Sequence, residues 1–318
     1  MKRKSYLVII LVCLLSMVIA ACAPVATPTT AAAVPTEPVS EAVVVTNADG
    51  TEFRLEKPAQ RVISLAPSNT EILFAIGASS QVIGREEFSN YPPEAAEITS
   101  VGGSMGDYNM EEIANLQPDL VLASPLTPAE AIQSIREITP NVFIVKNPVE
   151  LSDMYDNLIT VGALTGRQAE AEQLVAELRA RSDAVLEKVS NVTEKPKVFY
   201  ELDATDPAKP WTAGQGSFID LLITMAGGEN IAGDLPEYTQ LSQEELIVQN
   251  PDVILLGDAL YGGITAESVA ARPGWGSIAA VSSGRVLPFN DDLVSRPGPR
   301  MVDGLEEIAK ILHPDLGW

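Results

Sequence analysis

The chain has 318 residues, enough for two domains, and it is acidic, with 21 lysines and arginines against 43 aspartates and glutamates and a net charge of −22. A chain of this charge repels the phosphates of nucleic acid, which excludes a nucleic-acid partner. His313 is the single histidine, so a three-histidine zinc or manganese site is excluded. Any Ser-His-Asp triad would need that residue, and the chain has no Walker loop and no Gly-x-Gly-x-x-Gly. We therefore expect no enzyme, no catalytic residue, no metal site and no cofactor.

The first 21 residues predict a lipoprotein signal peptide. Lys2-Arg3-Lys4 forms a positive n-region, and Tyr6–Val18 forms an apolar core. Ile19-Ala20-Ala21-Cys22 resembles a bacterial lipobox, so we expect Cys22 to be lipidated and to become the first residue of the mature chain. Removing the segment would take away three positive charges and bring the net charge from −22 to −25. The alternative is a transmembrane anchor, since Tyr6–Ala23 is almost wholly apolar.

Residues 22–42 predict a flexible tether. Ala, Thr, Pro and Val dominate this segment and aromatic residues are absent, so it cannot bury enough surface to become ordered. As a random coil it would reach on the order of 25 Å. Such a tether would keep a folded domain close to one membrane surface.

The folded part begins with a predicted hairpin and a strand–helix pair. Val43–Thr46 and Glu52–Leu55 flank Asn-Ala-Asp-Gly, which is typical of a hairpin turn. Arg61–Leu65 is an apolar strand, and Ser68 with Glu71 predicts a capping box at the start of the next helix. The N–H groups of that helix would face the carboxyl edge of a sheet, where ligands of open α/β sheets bind.

One sequence pattern occurs twice. Residues 109–123 and 242–256 both show a cap, Glu-Glu, an apolar helix, Pro-Asp and a buried strand. Asn109 with Glu112 predicts a capping box in the first copy, and Ser242 with Glu245 predicts one in the second. A strand and a helix precede each copy. Alternating strands and helices indicate parallel sheets covered by helices, so the fold class is α/β with two lobes.

A long helix over Thr165–Ser190 is predicted between the two copies, with a capping box from Thr165 and Gln168. Its apolar stripe consists of Ala171, Val175, Leu178, Val185 and Val189. The expected organisation is a first lobe at 43–164, a connecting helix at 165–190 and a second lobe at 191–318.

The last segments of the second lobe predict core packing. Trp275 is interpreted as a core or loop anchor rather than a ligand contact. The final helix after Arg300 has an apolar stripe, and Gly304 in its middle predicts close packing against a neighbour. His313 is interpreted as the side chain that ends this helix.

Several motifs, taken in order, resemble the helical-backbone class of solute-binding proteins of ABC importers, whose members capture vitamin B12, ferric siderophores or heme. The resemblance runs from about Val43 to Pro314 and rests on 61–77, Tyr91-Pro92-Pro93, Val101-Gly102-Gly103, Pro118-Asp119, 227–230 and 296–300. It implies two Rossmann-like lobes with parallel sheets, one rigid backbone helix, a shallow cleft and slight closure. It also implies a monomer outside the cytoplasm that serves a permease dimer with its ATPase subunits.

Within that class the chain is most similar to the vitamin B12 binders, and the expected ligand is a corrinoid. Aromatic faces with a few polar groups suit its large, flat, amide-fringed ring. Met105 and Ser124 occupy positions where the best-known B12 binder has tryptophans. The ligand-binding residues that the resemblance implies are Phe88, Tyr91, Met105, Trp211, Tyr238, Asp292 and Arg296.

Other ligands and roles stay open. A ferric siderophore could use Arg85, Arg296 and Arg300, and heme could use Tyr91, Tyr108 or Tyr238 as its axial ligand. The chain could also be a ligand-sensing lipoprotein or an adhesive surface protein.

Glu111 and Glu244 are the predicted permease-docking residues. Each is the first glutamate of its Glu-Glu pair, at the second helical position, while the second glutamate of the pair has a capping role. The alternative is that both only complement the helix dipole. The resemblance implies one docking glutamate in each lobe, and these positions match.

Overall fold

The computed structural model describes residues 42–103 and 106–318. The predicted signal peptide, Cys22, nearly all of the tether and Met105 lie outside the described residues. Within the described ranges, no helix has the length and apolar character needed to cross a membrane.

The first lobe is built on a four-stranded parallel sheet with the order β4-β3-β5-β6. It is preceded by the predicted antiparallel hairpin of β1 and β2. The strands are β1 (Val43–Thr46), β2 (Glu52–Leu55), β3 (Val62–Ser64), β4 (Val82–Arg85), β5 (Leu120–Ala123) and β6 (Val142–Ile144). The helices are α1 (Pro67–Ala75), α2 (Met110–Leu116), α3 (Ala129–Ile138) and α4 (Leu151–Thr165).

The long helix α5 (Gln168–Val189) follows, and the second lobe again contains a four-stranded parallel sheet, with the order β12-β11-β7-β9. Its strands are β7 (Lys197–Glu201), β9 (Glu229–Asn230), β11 (Val253–Leu256) and β12 (Val286–Pro288). A separate antiparallel ribbon consists of β8 (Trp211–Ala213) and β10 (Tyr238–Gln240). The helices are α6 (Phe218–Met225), α7 (Gln243–Gln249), α8 (Ala259–Gly262), α9 (Ala266–Ala270), α10 (Ala279–Ser282), α11 (Asp292–Ser295) and α12 (Met301–Leu312).

The two sheets repeat one topology, because β7, β9, β11 and β12 occupy the places of β3, β4, β5 and β6. The Pro-Asp motif has the same role in both. The Asp119 carboxylate accepts a hydrogen bond of 2.8 Å from the Arg61 N–H, and the Asp252 carboxylate accepts one of 2.8 Å from the Lys197 N–H. Each aspartate therefore fixes the start of the strand beside its own. The predicted α/β class with two parallel-sheet lobes is confirmed.

One apolar core runs through both lobes. Along β5, Leu120 and Leu122 face this core while Val121 faces a smaller cluster on the other side of the sheet. Along β11, Leu255 faces the same shared core. Helix α5 packs against α4 of the first lobe and α12 of the second, and it adds buried residues to the core between them. The long helix thus joins the two sheets through continuous packing.

The predicted capping box at Thr165 is wrong. Helix α4 continues to Thr165, whose hydroxyl donates to the Val161 carbonyl oxygen at 2.7 Å. Gly166 then ends α4 with a φ of 71°, a left-handed conformation that glycine adopts without steric cost. The long helix begins at Gln168 without a side-chain cap.

Of the other predicted capping boxes, only one is complete. Ser242 and Glu245 exchange both hydrogen bonds. Asn109 accepts from the Glu112 N–H, but its own N–H donates to the Val101 carbonyl, so the second half cannot form. The box at Ser68 is wrong: α1 begins at Pro67 without a side-chain cap, and Glu71 pairs with Arg300 instead.

The packing predictions for the second lobe are confirmed. Trp275 is fully buried, with its ring edge-on to Phe199 at a centroid distance of 6.4 Å. A Cβ atom on Gly304 would lie 2.7 Å from the Leu293 carbonyl oxygen, so only glycine permits α11 and α12 to approach this closely. His313 directly follows the last residue of α12.

Candidate ligand cleft

A cleft with a volume of about 760 Å³ lies between the two lobes. Its first-lobe wall includes the segments that directly follow β3, β4, β5 and β6, namely 65–69, Glu86, 124–128 and 145–147. Its second-lobe wall consists of Phe218, Glu237, Tyr238 and 295–297. The carboxyl ends of parallel strands meet at one edge of a sheet, and this is the edge at which such folds bind ligands.

Buried hydrogen bonds fix the floor of the cleft. The Asn69 side-chain amide donates to the carbonyl oxygens of Leu122 and Ala123, at 3.3 and 3.1 Å, and so holds the start of α1 on the end of β5. The Ser89 hydroxyl lies 2.7 Å from the Thr70 hydroxyl and donates to the Glu86 carboxylate at 2.6 Å. These buried, partnered groups hold the cleft wall in one geometry.

Two exposed aromatic side chains share one face of the β8–β10 ribbon. Trp211 pairs with Gln240, and Tyr238 pairs with Ala213, so Trp211 and Tyr238 are diagonal neighbours on the same face. Trp211 is 43% exposed and Tyr238 is 51% exposed, so both rings are accessible to a ligand. The ribbon therefore presents an aromatic surface beside the cleft, and Tyr238 itself lines the wall.

The two tyrosines of the cleft wall are neutral at physiological pH. Burial raises the pKa of Tyr108; a hydrogen bond with Thr127 offsets part of this rise, and the nearby Glu86 carboxylate adds to it. Burial also raises the pKa of Tyr238, with added contributions from Glu237 and Asp291. Both phenols therefore offer hydrogen-bond donors to a ligand rather than negative charge.

The arginines of the loop between α11 and α12 are paired with carboxylates. Arg300 donates to both carboxylate oxygens of Glu71, at 2.8 and 2.5 Å, and its guanidinium lies 3.7 Å from the centroid of the Tyr91 ring. Arg296 lies 2.9 Å from the Asp292 carboxylate and donates to the Asn90 side-chain oxygen at 2.8 Å. Charge-assisted pairs of this kind are strong and fix both partners.

The predicted ligand-binding residues fall into two groups. Tyr238 and Arg296 line the cleft. Four others lie outside its wall: Phe88, Tyr91, Trp211 and Asp292. The Phe88 N–H donates to Glu86 of the wall and Asp292 pairs with Arg296 of the wall, whereas Tyr91 contacts Arg300, which does not line the cleft.

Sequence reasoning did not place Lys146, Asn157 or Phe218 in the site, although all three line the cleft. Lys146 lies just beyond the carboxyl end of β6, so the strand-end rule could have found it. Asn157 and Phe218 lie on helices and carry no comparable signal in the sequence.

A second buried ionic cluster lies at the carboxyl ends of β7 and β11. Glu201 is fully buried, and each of its two carboxylate oxygens accepts a hydrogen bond from the Arg272 guanidinium. Beside it, one carboxylate oxygen of Asp258 accepts from the Ala204 N–H at 3.0 Å, and the other oxygen has no hydrogen-bond partner within the described residues. Burial, followed by the negative charge of Glu201, raises the pKa of Asp258 to about 6.

Glu111 and Glu244 occupy equivalent positions in the two lobes. Each is the second residue of its helix, α2 or α7, and each side chain is exposed. In the part of the chain that the structure describes, neither carboxylate forms an ion pair, although Glu245 beside Glu244 is engaged in its capping box. The geometry leaves both carboxylates directed to solvent.

Comparisons with known proteins agree with this architecture. The family model described as periplasmic binding protein matches residues 62–293. An uncharacterized ABC transporter substrate-binding lipoprotein of Bacillus subtilis, YvrC, is 32% identical over 86% of this chain and 86% of its own. A cobalamin-binding protein of Halobacterium salinarum is 31% identical over 84% of this chain and 73% of its own.

A solved structure, the periplasmic heme-binding protein RhuT from Roseiflexus sp. RS-1, aligns with a TM-score of 0.72 and 27% identity, over 81% of this chain and 99% of its own. These proteins are substrate-binding proteins and not enzymes, as the sequence predicted. The chain belongs to the periplasmic binding protein family, whose members work outside the cytoplasm and bind the solutes of ABC importers.

Proposed function

We propose that this protein is the lipid-anchored binding protein of an ABC importer and that its cleft captures a large, flat metal chelate, most specifically a corrinoid. The observation that carries the choice of ligand is the exposed pair of Trp211 and Tyr238 on one face of the β8–β10 ribbon, next to the cleft. Aromatic faces of this kind stack on extended planar ligands, and the cleft volume of about 760 Å³ is in the upper part of the range for small-molecule sites.

The charges of the site support a ligand without strong negative charge. Arg296 and Arg300 are paired with carboxylates, and Arg85 donates to the backbone carbonyls of Glu86, Glu87 and Ala96. A ferric catecholate would need several free cations directed at it. Corrinoids carry neutral amides around the ring, which suits the phenol and amide groups of the wall. A relative of this chain is named as cobalamin-binding, which points to the same ligand class.

Heme is the second candidate. Tyr108 and Tyr238 both line the cleft, and a tyrosine can serve as an axial ligand of heme iron. A structural neighbour is a heme-binding protein. The raised pKa of both phenols adds a cost to this candidate, because the iron would have to displace a proton that burial holds more tightly.

The remaining parts of the proposal concern location and delivery. Cys22 would carry the lipid anchor, and the tether up to residue 42 would hold the two lobes near the membrane that contains the permease. Glu111 and Glu244 would dock one lobe onto each subunit of a permease dimer, because the repeated topology gives them equivalent positions. Exposed carboxylates that meet arginines across an interface aid docking and orientation.

The test is an absorption titration of the purified protein with cyanocobalamin, hemin, a ferric tris-catecholate and a ferric hydroxamate. A saturable spectral change with cyanocobalamin at one site per chain supports the corrinoid proposal. Saturation with hemin alone would replace the corrinoid with heme. No saturation with any of the four would remove the chelate proposal. Uptake into vesicles that contain the cognate permease would then separate delivery from a sensing role.

A further inference from the structure

The loop that runs from Arg296 to Arg300 in the second lobe lies against helix α1 of the first. A Cβ atom on Gly298 would lie 3.6 Å from the Ser68 carbonyl oxygen. Arg300 binds Glu71 of α1 through both carboxylate oxygens, and Arg296 donates to Asn90 of the first lobe. Besides the packing of α5, a cluster of ion pairs therefore joins the two lobes beside the cleft.

The cluster is balanced in charge. It contains the guanidinium groups of Arg296 and Arg300 and the carboxylates of Glu71 and Asp292, so its formal charge is zero. Glu71 is only 3% exposed and Arg300 only 9%, so removing either charge would leave its buried partner with only a longer contact, 3.5 Å from Glu71 to Arg296 or 3.8 Å from Arg300 to Asp292.

Among the described residues, the cleft wall contributes no excess of positive charge apart from Arg296. Lys146 lies 2.6 Å from the Asp153 carboxylate, and the wall also contains Glu86 and Glu237. The cations of the cluster are Arg296, which lines the cleft, and Arg300, which does not. Both contact Glu71 and both contact Asp292, and Glu71 is the more deeply buried of the two carboxylates.

We propose that Glu71 determines the charge specificity of the cleft, because it holds Arg296 and Arg300 in the interlobe cluster and withholds both guanidinium groups from anionic chelates. The inference rests on the proposed function in one respect, namely that the ligand is a metal chelate. With Glu71 in place, the neutral cluster leaves the cleft selective for chelates without net negative charge. Without it, the cluster carries one net positive charge at the edge of the cleft, in position to bind carboxylate or catecholate oxygens.

The experiment compares wild type with Glu71→Gln, by absorption titration against cyanocobalamin, which is neutral, and against hemin and a ferric tris-catecholate, which are anionic. We expect Glu71→Gln to bind the anionic chelates about tenfold more tightly than wild type, the worth of one charge-assisted hydrogen bond. The gain should shrink as sodium chloride is raised, while cyanocobalamin binding changes less.

Two further variants keep the test decisive. Asp292→Asn removes the other carboxylate of the cluster at a partly exposed site, so it should fold even if Glu71→Gln does not, and it should shift the preference in the same direction. Glu71→Gln combined with Arg300→Gln restores a neutral cluster and should lose the gain. The matched control is Glu306→Gln, which removes a carboxylate paired with Arg181 away from the cleft wall, and it should leave the preference unchanged.

Equal affinity of wild type and both carboxylate variants for the anionic chelates would overturn the role of Glu71. If wild type binds none of the chelates, the proposed function fails. The role of Glu71 is then judged only from whether Glu71→Gln acquires binding of hemin or the ferric tris-catecholate. A failure of the proposed function is therefore distinguishable from a failure of the role of Glu71.

Discussion

Replacing Asp258 with asparagine should stabilise the protein at neutral pH, because this buried carboxylate lies beside the carboxylate of Glu201. The pKa of Asp258 is raised from 3.8 to about 6, first by burial and then by Glu201. Between about pH 4 and pH 6 the side chain of Asp258 is therefore protonated to a greater extent in the folded protein than in the unfolded chain. Across that window the free energy of unfolding falls as the pH rises, and above it the loss persists.

A shift of roughly two pKa units corresponds to up to about 3 kcal/mol of unfolding free energy at pH 7.5. The side-chain oxygen of asparagine can still accept from the Ala204 N–H, and its uncharged NH2 group would replace the carboxylate oxygen that has no hydrogen-bond partner among the described residues. We therefore expect Asp258→Asn to raise the free energy of unfolding by about 1–3 kcal/mol at pH 7.5 and by much less at pH 4.

Urea denaturation at pH 4, 5, 6 and 7.5 measures this difference. Asp315→Asn is the matched control, because Asp315 is exposed and its variant should follow wild type at every pH. A gain that does not depend on pH, or a loss of stability at pH 7.5, would refute the reasoning from the buried charge.

The other predictions concern binding, anchoring and delivery. Trp211→Ala should weaken cyanocobalamin binding by roughly 1.5–3 kcal/mol in an absorption titration. Trp318→Ala is the control and should leave the affinity unchanged, because Trp318 contacts Lys188 and His313 instead of the cleft. Equal affinities of Trp211→Ala and wild type would remove Trp211 from the site. Cys22→Ser should release the protein from membranes on fractionation or leave the signal uncleaved, and a cleaved variant that stays in the membrane fraction would contradict the lipobox. Glu111→Ala with Glu244→Ala should keep ligand binding but abolish uptake in reconstituted vesicles, and unimpaired uptake would leave these residues as helix-end charges only.

The sequence was sufficient for the elements whose signals are local. The turn Asn-Ala-Asp-Gly and its flanking strands predicted the hairpin with its correct bounds, and the repeated Pro-Asp motif predicted equivalent strands in both lobes. The same local reasoning failed at Thr165, where Gly166 in a left-handed conformation ends one helix before the next begins. A threonine followed by glutamine three residues later is compatible with a cap, but it does not exclude the last turn of a preceding helix.

The site was less predictable because the side chains that pair with each other there are far apart in the chain. Glu71 has the spacing of a capping residue relative to Ser68, yet its carboxylate binds Arg300, 229 positions later. No local pattern distinguishes these two roles. For the same reason the sequence did not reveal that Arg296, which lines the cleft, is paired with Asp292. The shared face of Trp211 and Tyr238 likewise depends on the pairing of two strands that are separated in the sequence.

The apolar core shared by both lobes has a consequence for how the chain unfolds. A fragment that ended after α4 would expose the face of α4 that packs against α5 in the shared core. Neither half carries a complete interior, so separate expression of the halves should yield aggregation-prone chains rather than two small domains. The intact molecule should melt in one cooperative calorimetric transition, and a bound ligand should raise the melting temperature of the whole protein and not of one lobe.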